Sequence, residues 1–373
     1  MKKQVLITGG AGFVGSHLAD GLLQAGHSVR VLDELTSQVH PTGRPDYLSN
    51  DVELLVGDVR DPNMLKRALA GVDIVYHFAA TVGVGQSMYE ISRYMSVNTQ
   101  GTAELLQAIL DSQTAPEKII VASSMSIYGE GRYICSGCGR STTPPVRPVE
   151  QLKAGRWDMH CDACGEVLKP VPTDEDKPSE INSVYALSKR DQEELCLIYG
   201  RTYGIPVTAL RFFNIYGTRQ ALSNPYTGVA AVFASRMLNG KQPLIFEDGE
   251  QMRDFVHVSD IVQANLLAME RTESNGQIIN IGGGTPITIQ QVADILARAL
   301  GKEVLPVITN KYRAGDIRHC YADITRARTL LGYEPQVQHE EGFRGLAEWL
   351  RGQEAEDKAE RMLTELSTYG LTA

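Results

Sequence analysis

Two hydrophobic rhythms alternate along the first half of the chain. Short, nearly unbroken apolar runs occur at 4–8 (QVLIT), 28–33 (SVRVLD), 72–80 (VDIVYHFAA) and 118–124 (KIIVASS). Their length and β-branched content suit strands covered on both faces of a parallel sheet. VELLVGDVRD at 52–61 reads as one more strand. Between these runs the apolar positions take helical spacing. In FVGSHLADGLLQAG they are Phe13, Leu18, Leu22 and Leu23, and further helices are predicted near 62–70 and over 98–110. Strands alternating with helices of this length predict an α/β fold built on a doubly wound parallel sheet.

The rhythm fails over 132–176, where cysteines, five prolines and mixed charge replace it. It returns with a helix over 183–204 and a strand over 206–213, then weakens beyond about 216, where helices are predicted near 227–239, 287–300 and 343–351. This predicts a domain over 1–215 carrying an insert at 132–172. A smaller mixed α/β lobe over 216–373 follows, with the chain crossing back near 250–285. No internal repeat or low-complexity tract is evident.

Composition narrows the function. The 373 residues carry a formal net charge of −9 without a long run of one sign, which argues against non-specific binding to nucleic acid or an anionic membrane. The insert has six Lys/Arg against four Asp/Glu, too small an excess to suggest a nucleic-acid ribbon. There is no apolar stretch of about 18 residues, and MKKQVLITGG opens as a strand and not as a signal peptide. The expected location is cytoplasmic.

The first strand runs into TGGAGFVG, which sets Gly9, Gly12 and Gly15 at G-x-x-G-x-x-G spacing, with Phe13 and Val14 opening the helix. Glycines there permit a tight turn and close approach of a pyrophosphate to backbone, at a helix N-terminus whose free N–H groups favour an anion. Asp33 ends the second strand, at about the separation expected for an acid on an adenosine ribose. A carboxylate there would repel a 2′-phosphate and so favours NAD over NADP. Asp58 and Val59, after the third strand, are placed to meet the adenine.

Tyr185 and Lys189 stand four residues apart on one face of the 183–204 helix. A phenol titrates near 10 in isolation. A neighbouring ammonium and a cationic nicotinamide would favour its ionised form, so Tyr185 could trade a proton with a sugar hydroxyl while hydride moves. Lys189 would also bond the nicotinamide ribose. Ser124, at the end of VASS beside Ser123, offers a hydroxyl to hold the reacting oxygen.

With these motifs in hand, the chain resembles the extended short-chain dehydrogenase/reductases of the nucleotide-sugar epimerase/dehydratase family. The resemblance is carried in order by TGGAGFVG (8–15), GDVRD (57–61), HFAA (77–80), SSMSIYG (123–129), YALSK (185–189), LRFFNIYG (210–217) and RDFVHVSDI (253–261). It implies a Rossmann-type sheet and bound NAD lined by Ala79, Ala80, Asn98, Ser123 and Phe212, with Phe213 or Asn214 at the junction of cofactor and substrate. Asn214, Arg253 and Arg313 would hold a substrate diphosphate, for which guanidinium forks are well shaped. Asp316 would hold the nucleoside ribose. Homodimers are implied, paired through helices near 98–110 and 184–203.

Within that family, 4,6-dehydratases resemble the 124–129 segment but carry Asp-Glu where Met125 and Ser126 stand, and decarboxylases of UDP-glucuronate generally have Glu at the Ser126 position. Lacking both, this chain is expected to be a 4-epimerase, oxidising and re-reducing one carbon. The segments 82–90 and 224–241, together with the insert, resemble dTDP-L-rhamnose 4-epimerases, which implies dTDP-L-rhamnose going to dTDP-6-deoxy-L-talose. UDP-glucose, UDP-N-acetylglucosamine or UDP-glucuronate are the alternative substrates. Gln86, Ser87, Ser126 and the loop of the 220s are the expected readers of the sugar. A non-catalytic nucleotide sensor is the competing class, disfavoured because Ser124, Tyr185 and Lys189 are all present.

Four of the six cysteines form CSGCG and CDACG: Cys135, Cys138, Cys161 and Cys164. Two C-x-x-C-G units about twenty residues apart match a tetrahedral structural zinc site with no open position for catalysis. Disulfides or a redox switch are the main alternative. Cys196 and Cys320 stand alone and are expected in the core.

Overall fold

The computed structural model describes residues 1–112, 115–313 and 315–372. Seven parallel strands form its centre: β1 (Gln4–Thr8), β2 (Ser28–Asp33), β3 (Glu53–Val56), β4 (Ile74–His77), β5 (Lys118–Ser124), β6 (Val207–Phe212) and β7 (Ile278–Ile281). Their spatial order is β7-β6-β5-β4-β1-β2-β3. The winding reverses between β1 and β4, so the carboxyl ends of those strands open a crevice, the usual ligand site of such sheets.

Helices α1 (Phe13–Gln24) and α5 (Val258–Glu270) cover one face, where Leu18, Leu22, Ile261 and Ala264 are fully buried. The other face carries α2 (Pro62–Leu69), α3 (Gly101–Asp111) and α4 (Val184–Tyr203), through Leu65, Leu105, Ile109 and Cys196. Each leucine or isoleucine among them stabilises the sandwich by about 1.5–3 kcal/mol. Both α5 and β7, within residues 250–285, return to the sheet from the C-terminal half.

Two predicted elements differ from their sequence pattern. The 52–61 run pairs with β2 only over Glu53–Val56, because the Asp58 side chain turns back to accept from Arg60 N at 2.8 Å and ends the ladder. The helix expected from 98 begins as one wide i→i+5 turn over Met95–Gln100 before α3. Here Thr102 Oγ1 donates to Asn98 O at 2.6 Å, while the Asn98 side chain reaches across to the loop at Thr81.

The C-terminal lobe has its own core of Phe233, Val292, Leu296, Phe343 and Leu346, between helices Val229–Leu238, Ile289–Leu300 and His339–Leu350. The insert folds as a small antiparallel sheet of Arg132–Cys135, Ser141–Thr142 and Leu168–Val171, around Tyr133, Met159 and Leu168. Among the described residues no helix is long and apolar enough to cross a membrane.

Candidate active site

A cleft of about 480 Å³ lies over the carboxyl ends of the strands, between the sheet and the C-terminal lobe. At one end is the glycine turn. Gly9 has φ +71°, and a Cβ there would meet the Ala79 backbone at 2.8 Å. A Cβ on Gly15 would lie 2.6 Å from Gly9 O. Only glycine permits this close packing of turn, strand and helix. Gly12 begins α1 without a side chain to cap it, so the N–H groups of the first turn face the cleft, the donor set that a pyrophosphate requires. Asp33 pins the loop by accepting from Ala11 N at 3.0 Å and Leu35 N at 2.9 Å. Asp58 and Val59 also line this end, and Asp58 is paired with Arg60, whose guanidinium holds the carboxyl below its usual range. The residues present therefore fit a dinucleotide with a free adenosine ribose.

Ser124, Tyr185 and Lys189 meet in the middle of the cleft. Ser183 caps α4 by accepting from Ala186 N at 3.1 Å, and this starts the helix at Val184, one residue before Tyr185. Ser87 fixes the same turn, since its hydroxyl accepts from Tyr185 N at 3.0 Å. The Lys189 ammonium donates to Gln192 Oε1 at 2.7 Å. Burial drives the two reactive groups apart in proton affinity. Tyr185 is pushed up to about 12, against a hydrogen bond from Ser124 that works the other way. Lys189 is pushed down to about 8. In the protein on its own desolvation dominates, and the ammonium is directed at Gln192.

Two buried networks hold this geometry, and neither was anticipated from sequence. Gln192 donates to Ala79 O at 3.2 Å and Thr102 Oγ1 at 3.1 Å, tying Lys189 to the loop after β4. His77 joins Thr8 Oγ1 and Thr102 Oγ1, each at 2.8 Å, and burial holds it neutral with its pKa near 3. Beneath the serines, Glu193 accepts from Ser123 Oγ at 2.6 Å and takes a fork from Arg211 at 2.9 and 2.6 Å. Arg211 and Asn280 both bond the Tyr128 hydroxyl. Gln192 and Glu193 lie three and four residues after Lys189, so helical spacing was the available signal.

Ala79, Ala80, Ser123, Ser126, Phe212, Phe213 and Asn214 line the cleft, as do Phe13 and Val14. Ser126 Oγ and Asn214 Oδ1 are buried without a hydrogen-bond partner, and buried polar atoms left open at a cleft mark where a ligand completes them. Other expected residues stand outside it. Asn98 faces Thr81 and Ser188. Gln86 lies behind Gln38, accepting from its Nε2 at 3.2 Å, and Gln38 with Asn224 and Tyr226 lines the wall instead. Gln38 sits in a loop without periodicity and left no signal, whereas Asn224 and Tyr226 fall in the 220s loop singled out above. Arg253 spends its guanidinium on the carbonyls of Met252, Ile317 and Arg318 at 2.8, 2.6 and 2.9 Å. Arg313 grips Asp316 Oδ2 at 3.0 and 2.8 Å and stacks over Phe246. These three lie off the cleft lining, in a neighbouring charged segment.

The four insert cysteines converge. Their sulfurs all lie within 4.8 Å of one another, with Cys135–Cys164 at 3.3 Å and Cys138–Cys161 at 3.7 Å. Sulfurs on a tetrahedral ion at a Zn–S distance of 2.3 Å would be about 3.8 Å apart. All are too far apart for an S–S bond, about 2.05 Å. The two turns repeat each other. Cys135 N donates to Arg140 O at 2.9 Å and Gly139 N to Cys135 O at 2.9 Å, and the same bonds recur as Cys161 N to Glu166 O and Gly165 N to Cys161 O, both 2.8 Å. Gly139 and Gly165 both take positive φ. The donor set fits a closed tetrahedral site.

Comparison with known proteins gives a consistent picture. The family described as "NAD dependent epimerase/dehydratase family" matches residues 5–153 and 161–282. A dTDP-L-rhamnose 4-epimerase of Burkholderia thailandensis is 34% identical over 93% of this chain and 95% of its own. A UDP-N-acetyl-alpha-D-glucosaminuronate decarboxylase of Bacillus cytotoxicus is also 34% identical, over 94% and 98%. The crystal structure of a UDP-glucuronic acid 4-epimerase from Bacillus cereus, in complex with UDP-glucuronic acid and NAD, superposes with a TM-score of 0.76 at 27% identity, covering 93% of this chain and 99% of that one.

Proposed function

The chain belongs to the NAD-dependent epimerase/dehydratase family and is an NAD-dependent sugar-nucleotide epimerase, and from that premise we propose that it inverts C4 of dTDP-L-rhamnose to give dTDP-6-deoxy-L-talose. The observation that carries the 4-epimerase reading is the distribution of carboxylates. Those lining the cleft are Asp33, Glu34 and Asp58, all at the ends of β2 and β3 and away from Tyr185. Removing water across C5 and C6 calls for an acid and a base beside the sugar, and Met125 and Ser126 stand where they would be. By the resemblance, a decarboxylase would carry Glu at the Ser126 position, and this chain has none there. A UDP-sugar is the second reading, favoured by the UDP-glucuronic acid held in the similar Bacillus cereus structure.

NAD, when bound, supplies a hydride acceptor and donor together with a positive nicotinamide charge. Tyr185 moves the proton at the C4 oxygen, outward as the alcohol is oxidised and back as the ketone is reduced. Ser124 holds that oxygen, and Lys189 keeps a cation under the site while it remains protonated. Ser126, with its open hydroxyl, bonds the sugar as the ring presents either face, and Asn214 stands toward the diphosphate at the junction of cofactor and substrate. Asp33 takes the adenosine ribose.

The four cysteines hold a structural zinc ion, on the geometry given above. The protein is cytoplasmic and pairs with a second copy through α3 and α4, where Leu110, Leu187, Ile198 and Tyr203 are exposed. Incubation with a panel of dTDP- and UDP-sugars without added NAD tests the reading. Inversion at C4, fastest with dTDP-L-rhamnose, is the expected result, and loss of water or CO₂ would overturn it.

A further inference from the structure

Buried charge, more than apolar packing, ties the insert to the C-terminal lobe. Arg147 of the insert is fully buried and lays its guanidinium across Glu247 at 2.9 and 2.8 Å, while also donating to Trp157 O at 3.0 Å and Asp316 O at 3.1 Å. Arg318 closes the other side. It reaches Asp158 of the insert at 2.9 and 3.2 Å, Asp248 at 2.6 and 2.8 Å, and Glu247 at 3.3 Å. Glu130, where the insert leaves the main chain, accepts from Arg318 N at 2.5 Å, His319 N at 3.2 Å and the Tyr133 hydroxyl at 2.8 Å.

Glu247 itself sits at φ +53°, a left-handed conformation unfavourable for a side chain. Such a residue persists only where its surroundings over-determine it. Here those surroundings are Arg147 from the insert and Arg318 from the lobe. The same short segments carry groups that the family resemblance implies for the substrate diphosphate and ribose. Arg313 stacks on Phe246 and grips Asp316, Arg253 bonds the carbonyls of Ile317 and Arg318, and Asn182, three residues before Tyr185, donates to Gly315 O at 2.9 Å. The Arg313 side chain is 40% exposed, so Phe246 and Asp316, more than burial, set its place.

We infer that the four-cysteine insert is a positioning element for the nucleoside-diphosphate end of the substrate. The cysteine cluster sets the two knuckles, the small core of Tyr133, Met159 and Leu168 holds the chain that bears Arg147 and Asp158, and those two residues fix 246–248 and 316–318. The inference rests on the reading of Arg253, Arg313 and Asp316 as the diphosphate and ribose contacts.

Asp158→Asn is the cleanest test, because its side chain is half exposed and its loss leaves Arg147–Glu247 intact. Calorimetry with UDP and with dTDP on the NAD-loaded protein, together with steady-state kinetics, separates the roles. The expected result is a nucleoside-diphosphate Kd and a sugar-nucleotide KM that weaken together by about tenfold, the scale of outer-layer positioning partners, with kcat within about twofold and bound NAD unchanged. Cys138→Ser, with its metal content measured, should weaken nucleotide binding at least as much. Unchanged Kd in Asp158→Asn, or in a Cys138→Ser protein that has lost its metal, overturns the inference. A wild-type protein that binds neither UDP nor dTDP would instead remove the nucleotide-sugar reading beneath it.

Discussion

Lys189 is buried and Tyr185 half-buried one turn before it, and desolvation takes the phenol up to about 12 and the ammonium down to about 8. A lysine whose pKa is lowered is charged below that value and neutral above it. As pH rises through about 8, the cation that favours the phenolate disappears. The pH profile of kcat/KM should therefore fall on its alkaline side near 8, and Lys189→Met should lose that limb and about 10²–10³ in rate. Tyr185→Phe should fold with an unchanged melting temperature and lose about 10³ in kcat or more. Wild-type turnover in that variant removes the phenol from the chemistry. These residues were legible in the sequence because their relation is local: four positions on a helix, three glycines in one turn. Asn98, Gln86 and Ser87 were named as contacts but act from behind the wall, because which layer a side chain occupies is decided by packing between distant segments.

Elements place these residues, and each placement has its own stability. The β5–α4–β6 unit is fastened by Glu193 and Arg211, both nearly fully buried. Removing one partner leaves the other charge buried alone, so Arg211→Leu should cost about 3–5 kcal/mol, read in urea unfolding, and should misplace Ser123 and Ser124. A cost below about 1 kcal/mol would show that the pair does not support the strand end. The insert is the other element with its own logic. Metal analysis of native protein should find about one zinc per chain, and chelation should loosen the 132–172 segment to proteolysis while the glycine turn stays protected. The cysteine spacing made the cluster legible. Its attachment through Arg147, Glu247 and Arg318 was not, because those partners are separated by up to about 170 positions and only the folded lobe brings them together.

At the scale of the molecule, the N-terminal half announced its sheet because buried parallel strands read as unbroken apolar runs. Where the chain returns to complete that sheet, α5 and β7 are flanked by lobe segments, and the expected crossing near 250–285 names neither element. The cleft exists only because both halves meet over the carboxyl ends of the strands: Ser124 and Tyr185 come from one, Asn224 and Tyr226 from the other. An epimerase built this way must keep the oxidised sugar and the reduced cofactor together until hydride returns. The most direct measurement is turnover of a nucleotide sugar deuterated at C4, starting with dTDP-L-rhamnose, in ordinary water without added NAD. The C4 epimer should retain its deuterium at C4 through many turnovers, whereas product carrying hydrogen there, or the absence of any inverted product across the panel, would contradict transient oxidation and return within one site.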